Sequence, residues 1–419
     1  MDGNLSVSVF LPSSAREEDG EVSSFYESTR FEHGSMIGDV AYFSHKLYGT
    51  DLWRPPHNPW NVESGVGLAS EFGFGENGAY CEGITCAWKN KENVDRGGKF
   101  IINGVLGYDE ALPGESFLKI GVGSLIKGSC QGCNGTEDYQ FNNPYKFAQN
   151  HPTNEKWTFQ QKSKNSITMI QKAFLQSPKS SKIYGYQLEK DISLQGRSLE
   201  VTSTLANLGT DNFHTPWYSH HFFTCDSKPV GIGYKADILK FEDSKTNIRR
   251  KTEEQEPFYE EPGVGSWSTP IADYSTISSD DHAINITMSK TVQKGTKIKA
   301  SFMQNSSVNG NIVLHGCQSK INEDLIYSSP AVSMYAMSIY IEDGTISPET
   351  LLLLSVTAGQ SISWKQRLQF NSYNSDIVDS TVKNDESKSH IWLVIIMLLV
   401  IGSFYFLWHS KKSEYSPVP

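Results

Sequence analysis

The chain has 419 residues and a net charge of −10, with 37 Lys and Arg set against 47 Asp and Glu. The two signs are mixed along its length with no basic stripe, which argues against nucleic acid as a partner. Residues that are 38% hydrophobic and 12% aromatic can fill a sizeable core, and the general polarity outside one C-terminal apolar run excludes a multispan transporter.

Residues 1–24 are polar and acidic and read as disordered. They lack a basic start, and their apolar stretch is only Val9 to Leu11, so they do not form a secretory signal. From Phe25 to Phe370 there is no Pro-rich linker, long charge run or fixed-period repeat, which predicts one domain over 25–370. SLEVTSTLANLG puts Leu199, Val201, Ser203 and Leu205 on one face, and Glu200, Thr202 and Thr204 on the other. KTNIRRK, HAINITMSK, TKIKASFMQ, GNIVLHGC, VSMYAMSIYIE and SISWKQRLQF read similarly, while SITMIQKAFLQ suits a helix or a strand. Short strands between Gly, Asn and Asp turns predict an all-β fold, a large antiparallel β-sandwich.

Residues 371–390 read as a polar stalk. Ile391 to Trp408 carry no charge and no proline, and as a helix they span about 27 Å at ~1.5 Å per residue. Trp392, Tyr405 and Trp408 sit near the ends, where amphipathic rings favour the interface. This predicts one transmembrane helix in a lipid bilayer, followed by a short tail over 409–419. The missing signal peptide places the large domain in the cytosol, although Lys411 and Lys412 argue for the opposite topology. Cys81/Cys86 and Cys130/Cys133 are close pairs and Cys225 and Cys317 stand alone, a pattern open to disulfides or free thiols. N-x-[ST] sequons occur at Asn4, Asn134, Asn285 and Asn305.

There is no GxGxxG after a strand, no P-loop, no GxSxG elbow and no HExxH, and CQGC offers only half a zinc site, so no cofactor and no metal is expected. Three regions carry candidate chemistry instead. In PWYSHHFF two histidines lie among aromatic residues, the usual lining of a sugar site, and on a strand His220 and His221 face opposite sides. In ISPETLLLLSVTAGQSISW the lone carboxylate Glu349 precedes Leu351 to Leu354, where partial desolvation suits it to proton transfer. ESTRFEHGSMIGDV, GVGLASEFG and GYDEALPGESFLKIGVG bring Arg30, Glu71 and Lys119 in glycine-rich surroundings.

Taken together, these segments resemble the galactose mutarotase-like superfamily, specifically aldose 1-epimerase-type proteins. TRFEHGSMIGDVAY resembles the family's first hairpin, GVGLASEFG and GYDEALPGESFLKIGVG its early core strands, WYSHHFF its catalytic-histidine segment, and SPETL with GQSISW its closing segment. The resemblance implies a hexose or hexose-phosphate 1-epimerase, with His220 as general acid and Glu349 as general base; the membrane anchor read from Ile391 to Trp408 is foreign to typical soluble members. Arg30, Glu71, Lys119 and His221 are then the residues expected to hold the carbohydrate. Ser219 stands where many members have Asn, and Glu342 is a rival for the base. His33, Asp237 and His315 are candidates for a second histidine and a hydroxyl-binding aspartate. Two other readings fit the same fold: a non-catalytic carbohydrate-binding module, and a polysaccharide-acting hydrolase or lyase.

Overall fold

Period-2 alternation puts nearly all of the described residues' regular structure into strands. The computed structural model describes residues 5–12, 25–49, 58–73, 80–82, 85–86, 100–101, 105–137, 139–141, 143–148, 157–240, 258–259, 271–303 and 308–372. The first strands are β1 (Leu5–Val9), β2 (Ile37–Tyr42), β3 (His45–Tyr48), β4 (Leu68–Phe72), β5 (Tyr80–Glu82), β6 (Thr85–Cys86), β7 (Phe100–Ile101), β8 (Ser116–Lys119) and β9 (Gly123–Ile126). Next come β10 (Thr158–Ser163), β11 (Ser166–Gln176), β12 (Ile183–Gln195), β13 (Ser198–Asn207), β14 (Phe213–His221), β15 (Lys235–Lys240), β16 (Phe258–Tyr259), β17 (Ser275–Ser279) and β18 (Ala283–Met288). The last are β19 (Ile298–Met303), β20 (Val308–Gly316), β21 (Ser319–Ile326), β22 (Val332–Glu342), β23 (Thr345–Val356) and β24 (Ser361–Ser372). Among the described residues the one helical element is the 3-10 turn Ile271–Asp273, and no helix is long and apolar enough to cross a membrane.

Two large sheets build the fold. One has nine strands in the order β1-β2-β4-β14-β23-β22-β19-β16, with β3 joined to β2. The other has ten, in the order β10-β11-β12-β13-β24-β21-β20-β15-β18-β17. Antiparallel pairing runs through both. One core cluster draws on both sheets, with Trp217 of β14 and Phe72 of β4 meeting Trp364 of β24 at ring distances of 5.1 and 6.0 Å. A fully buried aromatic side chain removes roughly 150–250 Å² from water, or roughly 4–6 kcal/mol gross at ~25 cal/mol per Å². Ser203, which interrupts the apolar face of β13, lies opposite Trp364, where a small side chain leaves room for the indole. The expected antiparallel sandwich is therefore what the chain forms.

Particular elements differ from the sequence reading. Residues 5–9 fall in the stretch read as disordered, yet they pair with β2, Leu5 against Tyr42 and Val7 against Val40. Leu5, Val7 and Val9 alternate onto the core while Ser6 and Ser8 face out, so three apolar residues suffice once an edge is available. SITMIQKAFLQ is strand β11, paired with β12 from Ser166↔Ser193 to Gln176↔Ile183. KTNIRRK and the expected membrane helix, Ile391 to Trp408, lie outside the described residues. Cys130 is bonded to Cys133 and Cys225 to Cys317, so the free-thiol reading does not hold for these four.

A lysine–carboxylate pair crosses the core. Lys190 of β12 places Nζ 2.8 Å from Glu32 Oε2, with the two side chains 0% and 1% exposed. Trp217 Nε1 donates to Glu32 Oε1 at 3.2 Å. The segment before β2 is thereby tied to both sheets. Gly67 closes the same region: it sits at φ 58°, and a Cβ there would collide with the Ile37 carbonyl.

Candidate active site

The registers of four adjacent strands align the polar residues into rows. Ala69 of β4 pairs with His220 of β14, and Ser338 of β22 pairs with Glu349 of β23. Between these pairs, the β14–β23 register runs through Trp217↔Leu352 and is met again at the Phe223↔Ile346 bridge, which sets His220 directly across from Glu349. Alternation then sorts the faces of β14. Tyr218, His220 and Phe222 share one side, while Trp217 and His221 turn toward the second sheet.

In this row His220 Nε2 lies 3.2 Å from Glu349 Oε1, with the side chains 8% and 11% exposed. Ser347 Oγ sits 2.8 Å from His220 Nδ1 and also accepts the His221 backbone N–H at 3.0 Å. With the ring protonated, Nδ1–H donates to Ser347 Oγ and Nε2–H points at the carboxylate, the form in which the imidazole can serve as an acid. Ser338 Oγ donates to Glu349 Oε2 at 3.1 Å. Phe222 stacks on the imidazole at 4.0 Å, and Phe31 and Tyr340 meet it edge-on at 6.1 and 5.8 Å. The group is thus an acid–base pair held by two hydroxyls within an aromatic wall.

A second polar cluster adjoins the first through Tyr218, whose ring is 6.3 Å from that of His220. Glu71 accepts from Arg30 Nε at 3.0 Å, Lys119 Nζ at 3.2 Å and the Tyr218 hydroxyl at 2.7 Å. Lys119 also donates to the Tyr139 hydroxyl at 2.8 Å. Burial pulls the Lys119 ammonium down to about 8, with Glu71 opposing part of that shift. Glu71 and Lys119 are fully buried. Arg30 keeps 15% of its side chain exposed and lies over the rings of Phe31 and Phe141 at 4.7 and 5.2 Å.

His221 belongs to a different environment. It is buried between the sheets, its Nε2 3.2 Å from Glu323 Oε1 of β21 and 3.2 Å from the Gln366 amide of β24. Burial pushes the imidazole down to about 3. It pushes the Glu323 carboxyl up to about 8, with Gln366 offsetting part of the rise. Burial thus favours the uncharged form of both groups at intermediate pH. For His221, the unfolded chain takes up a proton below about 6.5 that the fold refuses until about 3, so stability falls as pH drops through that window. For Glu323, the fold keeps a proton that the unfolded chain loses above about 4.5, so stability falls as pH rises from there to about 8. The two slopes cancel between about pH 4.5 and 6.5, and each group alone is worth ~1.36 kcal/mol per pH unit. Urea midpoints measured against pH should decline on the alkaline side in the parent and not in Glu323→Gln. An unchanged alkaline decline in that variant would show that Glu323 is not held neutral.

The remaining candidates lie apart from the row or at its end. His33 Nε2–H donates to the Ser28 carbonyl at 2.7 Å, and burial lowers its pKa. Asp237 and His315 pair with each other at 2.8 Å on β15 and β20 of the ten-stranded sheet, not on the sheet that carries His220. Glu342 ends β22 with its carboxylate 3.9 Å from Lys297 Nζ. Ser219 is buried beside Ser70 of β4. Ser338, Ser347, Tyr218 and Tyr340 join the site without having been singled out in the sequence. Only the spacing of Ser347 and Glu349, two apart on one strand, gave any signal of a shared face.

No family model matches the chain, and no curated protein matches it. Among solved structures it is similar to a galactose mutarotase-like protein from Clostridium acetobutylicum, at 12% identity over 80% of this chain and 89% of that one, with a TM-score of 0.41. It is similar to a galactose mutarotase-like protein from Lactobacillus casei, at 11% identity over 83% and 99% of the two chains, TM-score 0.37. An aldose epimerase homologue from C. elegans matches at 7% identity over 80% and 96%, TM-score 0.33. Likeness at this level fixes no shared activity.

Proposed function

We propose that this chain is an aldose 1-epimerase that interconverts the anomers of a hexose or hexose phosphate, with Glu349 as base and His220 as acid. The observation that carries this reading is the 3.2 Å pairing of His220 with Glu349 on one aromatic-walled row of the sheet. Glu349 takes the proton of the anomeric hydroxyl while His220 gives its Nε2 proton to the ring oxygen, and the bond from C1 to that oxygen breaks. The open-chain aldehyde turns about C1–C2 and recloses on its other face. His220 then recovers its proton from the attacking hydroxyl as Glu349 returns one to the carbonyl oxygen, so the enzyme ends as it began. The pair has to part to admit a pyranose, and the Ser347 and Ser338 hydroxyls keep each partner aimed. Phe222, Phe31 and Tyr340 supply faces and edges for the sugar's C–H surfaces. Arg30 and Lys119 share the single carboxylate of Glu71, which leaves net positive charge beside the row and favours a phosphate-bearing sugar.

The test is polarimetry or proton NMR of freshly dissolved α-glucose, α-galactose and α-glucose 6-phosphate with the purified chain. Anomer exchange faster than the spontaneous rate is expected. One feature favours a second reading, a non-catalytic carbohydrate-binding module: the acid and base touch each other and are almost closed to solvent. Sugar binding with no acceleration on any of the three substrates would select it.

The membrane anchor over residues 391–408 and a cytosolic position for the domain complete the proposal, and both rest on the sequence alone. Asn134 is exposed, so a glycan on it in the native protein would put the domain on the other side of the membrane.

A further inference from the structure

Three tight turns converge at a corner away from the His220 row. Phe43, at φ 55°, turns β2 into β3 just ahead of His45. Asp226 and Ser227, at φ 52° and 58°, form the turn closed by the Cys225–Lys228 bridge. Cys317 and Gln318, at φ 52° and 56°, turn β20 into β21. Paired left-handed residues mark the hairpin turns that Asn and Gly normally occupy, because a Cβ is crowded there. Neither pair contains Asn or Gly. Strain of this kind persists where the surrounding structure has a use for the side chain.

The side chains at those positions meet. His45 Nδ1 lies 2.9 Å from Asp226 Oδ2, and Cys317 Sγ lies 3.4 Å from the same oxygen. All three ligand atoms fall within 4.8 Å of one another, and the fourth group, Cys225 Sγ, is bonded to Cys317. We propose that, once the Cys225–Cys317 bond is reduced, this corner is a tetrahedral zinc site with Cys225, Cys317, His45 and Asp226 as its four ligands.

The donor set selects the metal. Two thiolates with an imidazole and a carboxylate suit zinc rather than the oxygen-seeking magnesium or calcium. Zn–S bonds of about 2.3 Å and Zn–N or Zn–O bonds of about 2.0–2.2 Å place tetrahedral ligand atoms about 3.3–3.8 Å apart, so the 2.9 and 3.4 Å contacts at Asp226 Oδ2 need to change by only a few tenths of an ångström, while the two sulfurs move apart once their bond is broken. The frame is already fixed. Asp226 N donates to the Lys46 carbonyl at 2.9 Å, Lys46 N donates to Asp226 Oδ1 at 3.0 Å, and Thr224 N donates to the Leu47 carbonyl at 2.9 Å. These bonds lock the turn that carries Cys225 and Asp226 to the strand that carries His45, and they orient the carboxylate from behind. Lys228 Nζ, 3.9 Å from Asp226 Oδ2 on an exposed side chain, is the cation that a metal would displace.

Loading takes two balanced steps. A dithiol reductant supplies two electrons and two protons to the Cys225–Cys317 bond and is itself oxidised to a disulfide, which leaves two thiols on the protein. Zinc then binds both sulfurs as thiolates and releases their two protons to solvent. Four protein ligands leave no open position, so the metal's role is structural. It clamps the chain just beyond β14, the strand that carries His220, against the β20–β21 turn of the other sheet. In a compartment that keeps thiols reduced, the metal takes over the tie that the disulfide makes elsewhere.

The full chain, reduced with a dithiol and then freed of it, is titrated with Co²⁺. One equivalent should give the visible absorption of tetrahedral cobalt thiolate, and Zn²⁺ should bleach it. His45→Ala and Cys317→Ser should each weaken that binding by at least about 100-fold, more than a supporting residue costs. Cys130→Ser should leave it intact, because Cys130, Cys133 and Glu137 offer only three ligands and the Glu137 oxygens already accept backbone N–H groups. His45 is 34% exposed, so its alanine variant folds even if Cys317→Ser does not, and it decides the matter alone. Absent absorption in the reduced parent, absorption that survives His45→Ala, or absorption lost in Cys130→Ser would each overturn the site.

Discussion

Glu349→Gln should abolish catalysed mutarotation while leaving sugar binding near normal. The amide keeps the shape of the carboxylate and still accepts from Ser338, which now donates to Glu349 Oε2 at 3.1 Å. It cannot take up the anomeric proton. His220→Asn should be similarly impaired, since the ring oxygen loses its proton donor while Ser347 keeps a polar neighbour. A positioned acid or base contributes typically ~100- to 10,000-fold, so each loss stands clear of the spontaneous reaction. Anomer-exchange NMR gives the rate, and calorimetric titration with the same sugar gives the affinity. His221→Asn is the internal comparison. It lies on the core side of β14 against Glu323, so its cost should appear in stability and not in exchange rate. Full activity in Glu349→Gln would remove the carboxylate from the mechanism, and Glu342, at the end of the neighbouring strand, would be the next base to replace.

Lys190→Met should cost about 3–5 kcal/mol of folding stability, the usual loss when one partner of a buried ion pair is removed. Its ammonium is the cation beside Glu32, and the two side chains are almost completely out of water. Burial raises the Glu32 pKa, with Lys190 and Trp217 opposing the rise, so without Lys190 the carboxylate would be a costly buried charge. The double variant Glu32→Gln/Lys190→Met should recover most of the loss. It buries no charge, and the glutamine oxygen still accepts from Trp217 Nε1. The single variant should also regain stability as pH falls, because protonating Glu32 removes the penalty. Urea denaturation of the three proteins at two pH values separates these outcomes. Equal destabilisation in the single and double variants would show that packing of the lysine stem, not charge, is what the core misses.

The strands were legible wherever one face is buried and the other wet. The alternation of SLEVTSTLAN became β13 with its small residue facing Trp364, and VSMYAMSIYIE became β22 over Val332–Glu342 although its polar Ser338 and Glu342 are buried as well. The pattern fails on β23, which is buried along almost its whole length, so Ser347 and Glu349 show no alternation against their neighbours. The site's other members were hidden for a related reason. Ser338 reaches Glu349 and Tyr340 reaches His220 only through the pairing of β22 with β23, and pairing between strands leaves no trace in either sequence alone. Glu71 and Lys119 were visible as charges in glycine-rich segments, but their sequence could not tell that both lie wholly inside. The disulfides were equally hidden, because six cysteines allow 15 pairings and Cys225 and Cys317 lie 92 residues apart.

The row that holds His220 and Glu349 decides which changes of chain length the chemistry can survive. Their separation is set by the spacing between neighbouring strands, about 4.7–4.9 Å, and owes nothing to the chain that joins them. Ser347 and His220 touch although they are 127 residues apart. Insertions and deletions in the connections between β14 and β23 can therefore accumulate without moving acid from base. Within either strand the tolerance vanishes. A single residue added to β14 before His220 rotates the histidine to the core side and brings its neighbour to the row, and the same change in β23 exchanges Glu349 for an adjacent residue. Homologues of this chain should thus differ freely in the length of their loops and hardly at all in the length of these two strands. A search for a short motif of fixed spacing would miss the pair in every one of them.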